Sequence, residues 1–534
     1  MKKILEAKVE YNVFPNKGIC KIDDNLYSIK NTIQGQTISF QRKRKKKGFI
    51  EGKLVEKLEN SPLETIEGCP VNERCGGCIY QKLEYDVECD LKKKTLTELY
   101  KDIYDEDITF HPSPILQGYR NKMEYTFGDS VKGGPLVLGL HTKNKFYEIT
   151  DTVDCNIIDE GFNKIRQAVQ EYFRDKNYEF FKKIKHTGLL RHFIIRKSFS
   201  DDEYMINLVT TSDEFDVNDF VEFAKQIDNR IVSIYHTIND NISDAVIVDK
   251  LELLYGKEYL TEKINGLEFR ISPFSFFQPN PAQAEQIYNR ALELAGDLSG
   301  KNVYDLYCGT GTIAQIFAKK SESVIGVEIV EEAVEKAKEN AKLNGLTNTK
   351  FICDDCLNFM KKVEKKDVVV LDPPRDGIHP KAIDRLIDIN PDKFIYISCN
   401  PITQRMDLDK FIEKGYKIKS LEFFDQFPRT YHCETVALLS KLDVDKHISV
   451  KIELDELDLT SAESKATYAQ IKEYVWNKFQ LKVPTLYIAQ IKRKCGIELR
   501  EHYNKAKKEN QIIPQCTPEK EEAIMDALRH FKMI

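Results

Sequence analysis

The residue whose setting is hardest to explain as packing alone is Cys399. It stands in Ser398-Cys399-Asn400-Pro401, directly after the apolar run Phe394-Ile395-Tyr396-Ile397. A buried parallel strand that ends on a thiol and turns at Asn-Pro presents a soft nucleophile at the carboxyl edge of a sheet, where open α/β folds hold their ligands. A lone cysteine is more commonly a buried structural thiol, and here the neighbouring motifs decide otherwise. Upstream lie a glycine loop, Asp305-Leu306-Tyr307-Cys308-Gly309-Thr310-Gly311, and Asp372-Pro373-Pro374-Arg375, which follows Val368-Val369-Val370-Leu371. Downstream, His432-Cys433-Glu434 runs into the apolar segment Thr435 to Leu439.

The glycine loop follows a strand-like Val303 to Leu306 and precedes a helix, so its backbone can approach a ligand without Cβ obstruction. Glu328 ends the next strand at the usual distance for an acid that binds ribose hydroxyls. Together they indicate a cofactor carrying a nucleoside, and by themselves do not separate NAD from S-adenosylmethionine. The loop lacks the third glycine of the dinucleotide fingerprint, and no Gly-Lys-Ser/Thr follows as in a P-loop; S-adenosylmethionine is favoured. Asp372, aimed by the rigid Pro373-Pro374 turn, can accept an N–H from a substrate or meet the sulfonium end of the cofactor; capping the next helix is its blander role. Beside a methyl donor, a thiolate and a carboxylate suffice for one demanding reaction. Uracil C5 is a poor nucleophile, but a thiolate added to C6 makes it an enolate carbon that attacks the methyl group, after which a base removes the C5 proton. A free thiol is only a few per cent ionised at neutral pH, so the site is expected to lower its pKa through dipoles or cations.

A second constellation is Cys69-x5-Cys75-Gly76-Gly77-Cys78 with Cys155. Four thiolates, three of them from one tight loop, could hold Zn2+ or a [4Fe–4S] cluster. Thirteen cysteines in a chain that reads as cytoplasmic point to metal ligation or catalysis before disulfides. The N-terminus meets charges too soon for a signal peptide, and no apolar run approaches the ~20 residues of a membrane span. A net charge of −5 argues mildly against nucleic acid as a partner, yet it conceals the run Arg42-Lys43-Arg44-Lys45-Lys46-Lys47 on a β-like segment and a second at Lys492-Arg493-Lys494. Such runs are usually solvated faces; on a strand the first makes a plausible phosphate-facing patch.

A length of 534 residues implies three or four domains, each with its own core. Residues 1–60 read as short strands (Ala7 to Val13, Gly18 to Asp23, Asn25 to Ile29, Thr37 to Arg44, Ile50 to Leu58) forming an OB-type β-barrel. Residues 61–270 are a mixed α+β central region that contains a cysteine-rich connector, Cys69 to Cys89, and that the family resemblance given below implies to bind RNA. Residues 271–440 alternate strands and amphipathic helices as a doubly wound, Rossmann-like α/β domain, with strands Val303 to Leu306, Ser323 to Val327, Lys350 to Cys353, Val368 to Leu371, Lys393 to Ser398, Ile418 to Phe423 and Glu434 to Leu439. Residues 441–534 form a small helical extension. Thr460-Ser461-Ala462-Glu463 fits a capping box, and a second helix runs from near Thr485 to Gly496.

Taken together these motifs resemble the RNA uridine C5-methyltransferases. The matching segments are Ser272-Pro273-x-Ser275-Phe276-Phe277-Gln278-Pro279-Asn280, Asp305 to Gly311, Asp372 to Arg375, Ser398 to Pro401 and Asp425-x-Phe427-Pro428-x-Thr430-x-His432-x-Glu434. The resemblance implies Cys399 as nucleophile, Glu434 as acceptor of the C5 proton, and Gln278, Tyr307, Glu328 and Asp372 as S-adenosylmethionine contacts, with Asp355 a further adenine-side position. Gln278 as a helix-start cap and Tyr307 as a core aromatic are the competing readings. The N-terminal strands resemble a TRAM domain, and the ribosomal-RNA branch of the family carries a [4Fe–4S] cluster on the spacing of Cys69, Cys75, Cys78 and Cys155. The expected substrate is therefore a uridine of structured RNA, 23S ribosomal RNA first, with no obligate protein partner evident. The T-loop uridine of transfer RNA is the nearest rival, and a non-catalytic iron–sulfur RNA-binding protein the rival of another class.

Overall fold

A computed structural model describes residues 4–46, 48–362, 367–441, 468–479, 481, 483–495, 517–531 and 533. It divides into two compact units, Met1–Val444 and Asp445–Ile534. Among the described residues no helix is long and apolar enough to cross a membrane.

The first unit begins with a six-stranded curled sheet rather than five strands. The segment expected as one strand is two, Ile4–Lys8 and Tyr11–Val13, because the chain changes partners between them. Ile4–Lys8 pairs with Thr37–Gln41, whereas the Glu10 N–H donates to Ile19 O at 2.8 Å and Tyr11–Val13 continues along Lys17–Ile19. Val9, Ile29, Ile38 and Phe40 fill the interior. Arg42, Lys43, Arg44 and Lys45 stand exposed on the strand Thr37–Lys46; Lys47 lies outside the described residues.

The central region is a seven-stranded sheet. Helices Glu160–Asp175 and Val217–Ile227 pack against it through Phe162, Ile165, Phe173 and Phe220. Asp159 and Asp216 cap the two helices from their N-cap positions.

The site is carried by an eight-stranded sheet. In spatial order its strands are Thr349–Cys353, Ser323–Glu328, Asn302–Leu306, Val368–Leu371, Lys393–Ser398, Glu434–Lys441, Tyr416–Phe424 and Thr109–His111. The first five are parallel neighbours, and Glu434–Lys441 inserts antiparallel. Strands such as Val368–Leu371 are buried throughout, as expected where helices cover both faces of a parallel sheet. The eighth strand was not anticipated: Thr109–His111 comes from far upstream and extends the edge beside Glu422–Phe424. Helix Tyr85–Tyr100 likewise buries Leu96 and Tyr100 in the core under this sheet. Neither segment has a local pattern that reveals its partner.

The second unit contains helices Tyr468–Phe479, Thr485–Lys494 and Pro518–His530 around Ile471, Val475, Ile488, Ile491, Ile524 and Leu528. The proposed capping box at Thr460–Glu463 lies outside the described residues, as does Gly496.

Candidate active site and cysteine loop

The strand ends converge as the motif spacing suggested. In the antiparallel ladder Ser398 is paired with Thr435, so Cys399, one residue beyond, lies across from Glu434, one residue before. Thr435 Oγ1 donates to Ser398 O at 3.2 Å and ties the two ends together. One strand over, Leu371 pairs with Tyr396, which brings Asp372 to the same edge. Cys399 is half-buried and so reachable, whereas Glu434 is only 2% exposed. Asn400 organises the turn: its Oδ1 accepts from the Ile402 N–H at 3.2 Å to start helix Pro401–Glu413, and its Nδ2 donates to Arg375 O at 2.7 Å. Pro401 at the first helical turn loses no hydrogen bond there.

The electrostatics contradict one expectation. Burial, reinforced by the Glu434 and Asp372 carboxylates, pushes the Cys399 thiol up to about 12, and the Arg375 side chain beside it offsets only part of this. Burial and Asp372 lift Glu434 to about 8, again with Arg375 opposing. Burial lifts Asp372 to about 7. A thiol and two carboxyls are thus held toward their neutral forms, first by poor solvation and, for Cys399 and Glu434, also by neighbouring like charge.

The residues expected to meet a cofactor lie on the adjacent strand ends and loops. Gly311 has φ +76°, and a Cβ there would meet the Phe351 ring at 2.7 Å, which is why the loop needs glycine at that point. Tyr307 is also left-handed, at φ 68°. Its N–H donates to Val327 O at 3.0 Å, and its ring packs in part on the core beneath the sheet. Glu328 receives N–H bonds from Gly309 (3.1 Å), Ile329 (2.9 Å) and Val330 (3.0 Å), which fixes the carboxylate while leaving acceptor capacity. Gln278 is not the cap of the following helix, because Asn280 Oδ1 takes the Gln283 N–H at 3.2 Å. Instead Gln278 Oε1 accepts from Gln426 Nε2 at 3.1 Å, joining the segment before helix Pro281–Ala295 to the loop before Glu434. Asp355 caps helix Cys356–Phe359, accepting from the Leu357 N–H at 2.9 Å.

Two residues inside the quoted motifs received no role from sequence. Arg375 is the cation facing Cys399 and Glu434. Asp305 is fully buried, both its carboxylate oxygens lack a well-formed hydrogen bond among the described residues, and burial together with Asp372 pushes its carboxyl far above the usual range. The signal for Asp305 was a charge inside the apolar Val303-Tyr304-Asp305-Leu306. A buried carboxylate beside a glycine loop, with no better donor than the Ala314 N–H, fits a ligand that brings an ammonium and a sulfonium, as S-adenosylmethionine does.

Cys69, Cys75, Cys78 and Cys155 are gathered from two segments of the first unit. Burial raises all four thiols, Cys78 to about 11 and Cys155 to about 12, and each of these two is raised further by the charges of its companions. Among the described residues no three such side chains stand in metal-ligand geometry. The backbone is nonetheless shaped around the thiols. Gly76 N donates to His141 O at 3.0 Å, Gly77 N donates to Cys75 Sγ at 3.4 Å, and the Asn163 side-chain amide brackets Cys155, its Oδ1 accepting from the Cys155 N–H and its Nδ2 donating to Cys155 O. Burial and mutual proximity hold these four as neutral thiols; a thiophilic metal centre would displace their protons and take up the thiolate charge.

Known proteins resemble this chain over most of its length. Residues 84–442 match the tRNA (uracil-5-)-methyltransferase family model. An uncharacterized RNA methyltransferase of Caldanaerobacter subterraneus subsp. tengcongensis is 44% identical over 446 residues, covering 82% of this chain and 99% of its own. One from Clostridium tetani is 42% identical over 448 residues, covering 83% and 98%. The crystal structure of Pyrococcus abyssi tRNA (uracil-54, C5)-methyltransferase in complex with S-adenosyl-L-homocysteine superposes with a TM-score of 0.65 at 25% identity, covering 82% of this chain and all of that one. The chain belongs to the RNA (uracil-5-)-methyltransferase family, a family of enzymes. Its second unit lies outside the family match.

Proposed function

We propose that this protein methylates C5 of a uridine in structured RNA, with Cys399 as the nucleophile and Glu434 as the base. The observation that carries this reading is the Ser398–Thr435 register, which opposes thiol and carboxylate at one sheet edge with Asp372 beside them. S-adenosylmethionine, when bound, supplies the methyl group and a positive charge. Asp305 and Glu328, with Gln278, Tyr307 and Asp372, are the residues that would hold it. Arg375 faces the thiol and favours its ionised form. The thiolate adds to C6 of the extruded uracil, and the displaced electron pair makes C5 nucleophilic toward the methyl group. Glu434 then takes the C5 proton, the C5–C6 double bond re-forms and Cys399 leaves as thiolate. Extruding the base costs a few kcal/mol. The exposed cations of Arg42 to Lys45 are suited to offset that through phosphate contacts.

Cys69, Cys75, Cys78 and Cys155 would hold a [4Fe–4S] cluster with an organising role, since methyl transfer moves no electrons. Anaerobically purified protein should contain about four irons; stoichiometric zinc would replace the cluster by a structural Zn2+.

The proposed substrate is 23S ribosomal RNA. The archaeal structure supports a second reading, because a tRNA enzyme is covered over its whole length by this chain, so the N-terminal sheet and connector do not separate the two substrates. Unmodified 23S ribosomal RNA and unmodified tRNA, each incubated with labelled methyl donor and mapped for 5-methyluridine, decide between them. Label in neither would overturn the function.

A further inference from the structure

The base is delivered by a hairpin. Strands Tyr416–Phe424 and Glu434–Lys441 pair with Phe424 opposite Glu434, so the position of the Glu434 carboxylate is set by the loop 425–433 that closes them. That loop is held at Gln426 by Gln278 and Asn280, and at the Asp425 N–H by His111 O. The segment before helix Tyr85–Tyr100, and that helix, hold it at Asp425, Phe427 and Arg429. Lys92, buried with 2% of its side chain exposed, places its ammonium 2.7 Å from Glu88 Oε1 and 2.7 Å from Asp425 Oδ1, both fully buried. Its third contact is Phe427 O at 3.4 Å. An ammonium has three N–H bonds, and here all three are directed, two at carboxylates and one at a loop carbonyl.

The same carboxylates reach further. Asp425 Oδ2 accepts from Tyr85 Oη at 2.9 Å, and Glu88 Oε1 accepts from the Arg429 N–H at 2.7 Å. Arg429 sits at φ 69°, a conformation unusual for a non-glycine residue. It is held there by Nη1 donating to Leu83 O at 2.7 Å. The N–H groups of Ile79 and Tyr80, immediately after Cys78, donate to Arg429 O at 2.9 and 3.1 Å. Tyr119 Oη closes the far side on Pro428 O at 3.0 Å. Buried ion groups of this kind are commonly replaceable by apolar residues without loss of stability. What an apolar core would not supply is the set of directed bonds that fixes the loop's path.

We propose that Lys92 is a positioning residue for the methyl-transfer reaction. It pins Asp425 and Phe427, and through Glu88 the Arg429 turn, so that Glu434 faces the adduct carbon when its proton must leave. The inference rests on the reading of Glu434 as base. It predicts a defect confined to the step after methyl transfer. Displacing a reacting group by about 1 Å costs on the order of a hundredfold, so Lys92→Met should lower kcat by roughly ten- to a hundredfold, with little change in KM for S-adenosylmethionine. Unlike an unfolded enzyme, the variant should accumulate a covalent RNA–protein adduct on denaturing gels.

Because Lys92→Met leaves two carboxylates without their cation, the neutral triple variant Glu88→Gln/Lys92→Met/Asp425→Asn is made in parallel. Lys92→Arg, which keeps the charge, should recover part of kcat. Glu434→Gln is the reference for a trapped adduct. If Glu434→Gln traps no adduct, the base itself is misassigned and the inference falls with it. If Glu434→Gln traps adduct and the folded Lys92 variants turn over as wild type, the positioning role alone is overturned. It is equally overturned if those variants lose adduct, cofactor binding and thermal stability together.

Discussion

Two acidic clusters are buried at opposite ends of one short loop, and they are treated in opposite ways. At Asp425 the carboxylate is paired with Lys92 and Tyr85, and Glu88 alongside it serves Lys92 and Arg429. At Glu434 the carboxyl faces Asp372 and the Cys399 thiol, with the exposed Arg375 as the cation that opposes their mutual repulsion. In the first cluster two cations face two carboxylates and the bonds are saturated, so it is a structural joint, although burial still raises the Glu88 carboxyl. The second stores electrostatic cost, and a group held away from its preferred ionisation is one poised to exchange a proton. The difference teaches where to look for chemistry in this fold: at the buried carboxylates that the chain has left without partners.

The sharpest way to break the comparison is at the thiol. Cys399→Ala should reduce methyl transfer by at least about a thousandfold while S-adenosylhomocysteine binding, measured by calorimetry, stays near wild type. Retained turnover would mean that the unbalanced cluster is not the reactive one. At the balanced cluster, Asp425→Asn removes one partner of a buried pair and should cost roughly 3–5 kcal/mol of stability, read from denaturant unfolding.

Acidity separates the clusters next. Cys399, Glu434 and Asp372 are all raised, to about 12, 8 and 7, so their reactive, charged forms grow as pH rises. Single-turnover methyl transfer should climb by up to about tenfold per pH unit on the acid side of about pH 8. A rate flat across that range would mean that ligand binding resets these groups entirely.

The smallest effect is on stability. Glu434 is protonated in the folded state up to about pH 8, whereas in the unfolded chain it ionises in the ordinary carboxyl range. The stability of its neutral form is therefore complete below the unfolded value and is lost as pH rises through the folded one. Glu434→Gln should match wild type near pH 4 and exceed it by about 1–3 kcal/mol above pH 8, checked by thermal unfolding at both. A destabilised variant at high pH would move Glu434 into the balanced class.

Much of the site was legible because strand ends are written in the sequence. The runs before Cys399 and Asp372, and the one after Glu434, carry an apolar signature with a polar terminus, and the observed strands Lys393–Ser398, Val368–Leu371 and Glu434–Lys441 coincide closely with those read from it. The glycine loop was legible because positive φ without a side chain has few substitutes. The thiol's protonation was not. Its pKa depends on how near Glu434 and Asp372 come, which no spacing along the chain reports. Lys92 was equally silent: within helix Tyr85–Tyr100 it reads as one member of the run Lys92-Lys93-Lys94, an ordinary solvated face, and only the fold shows it buried.

By itself, then, the amino-acid sequence determined which residues stand at the tips of the strands and where the glycine loop turns, because hydrophobic periodicity and backbone freedom are local properties. Tertiary structure alone decided which charges meet. It carried a strand from residues 109–111 to the edge of the catalytic sheet and a helix lysine to a carboxylate more than three hundred residues away. It also left Glu434, nine residues beyond that carboxylate, to face a thiol. Burial and Coulomb energy depend on distance in space, and the chain fixes that distance only once it has folded.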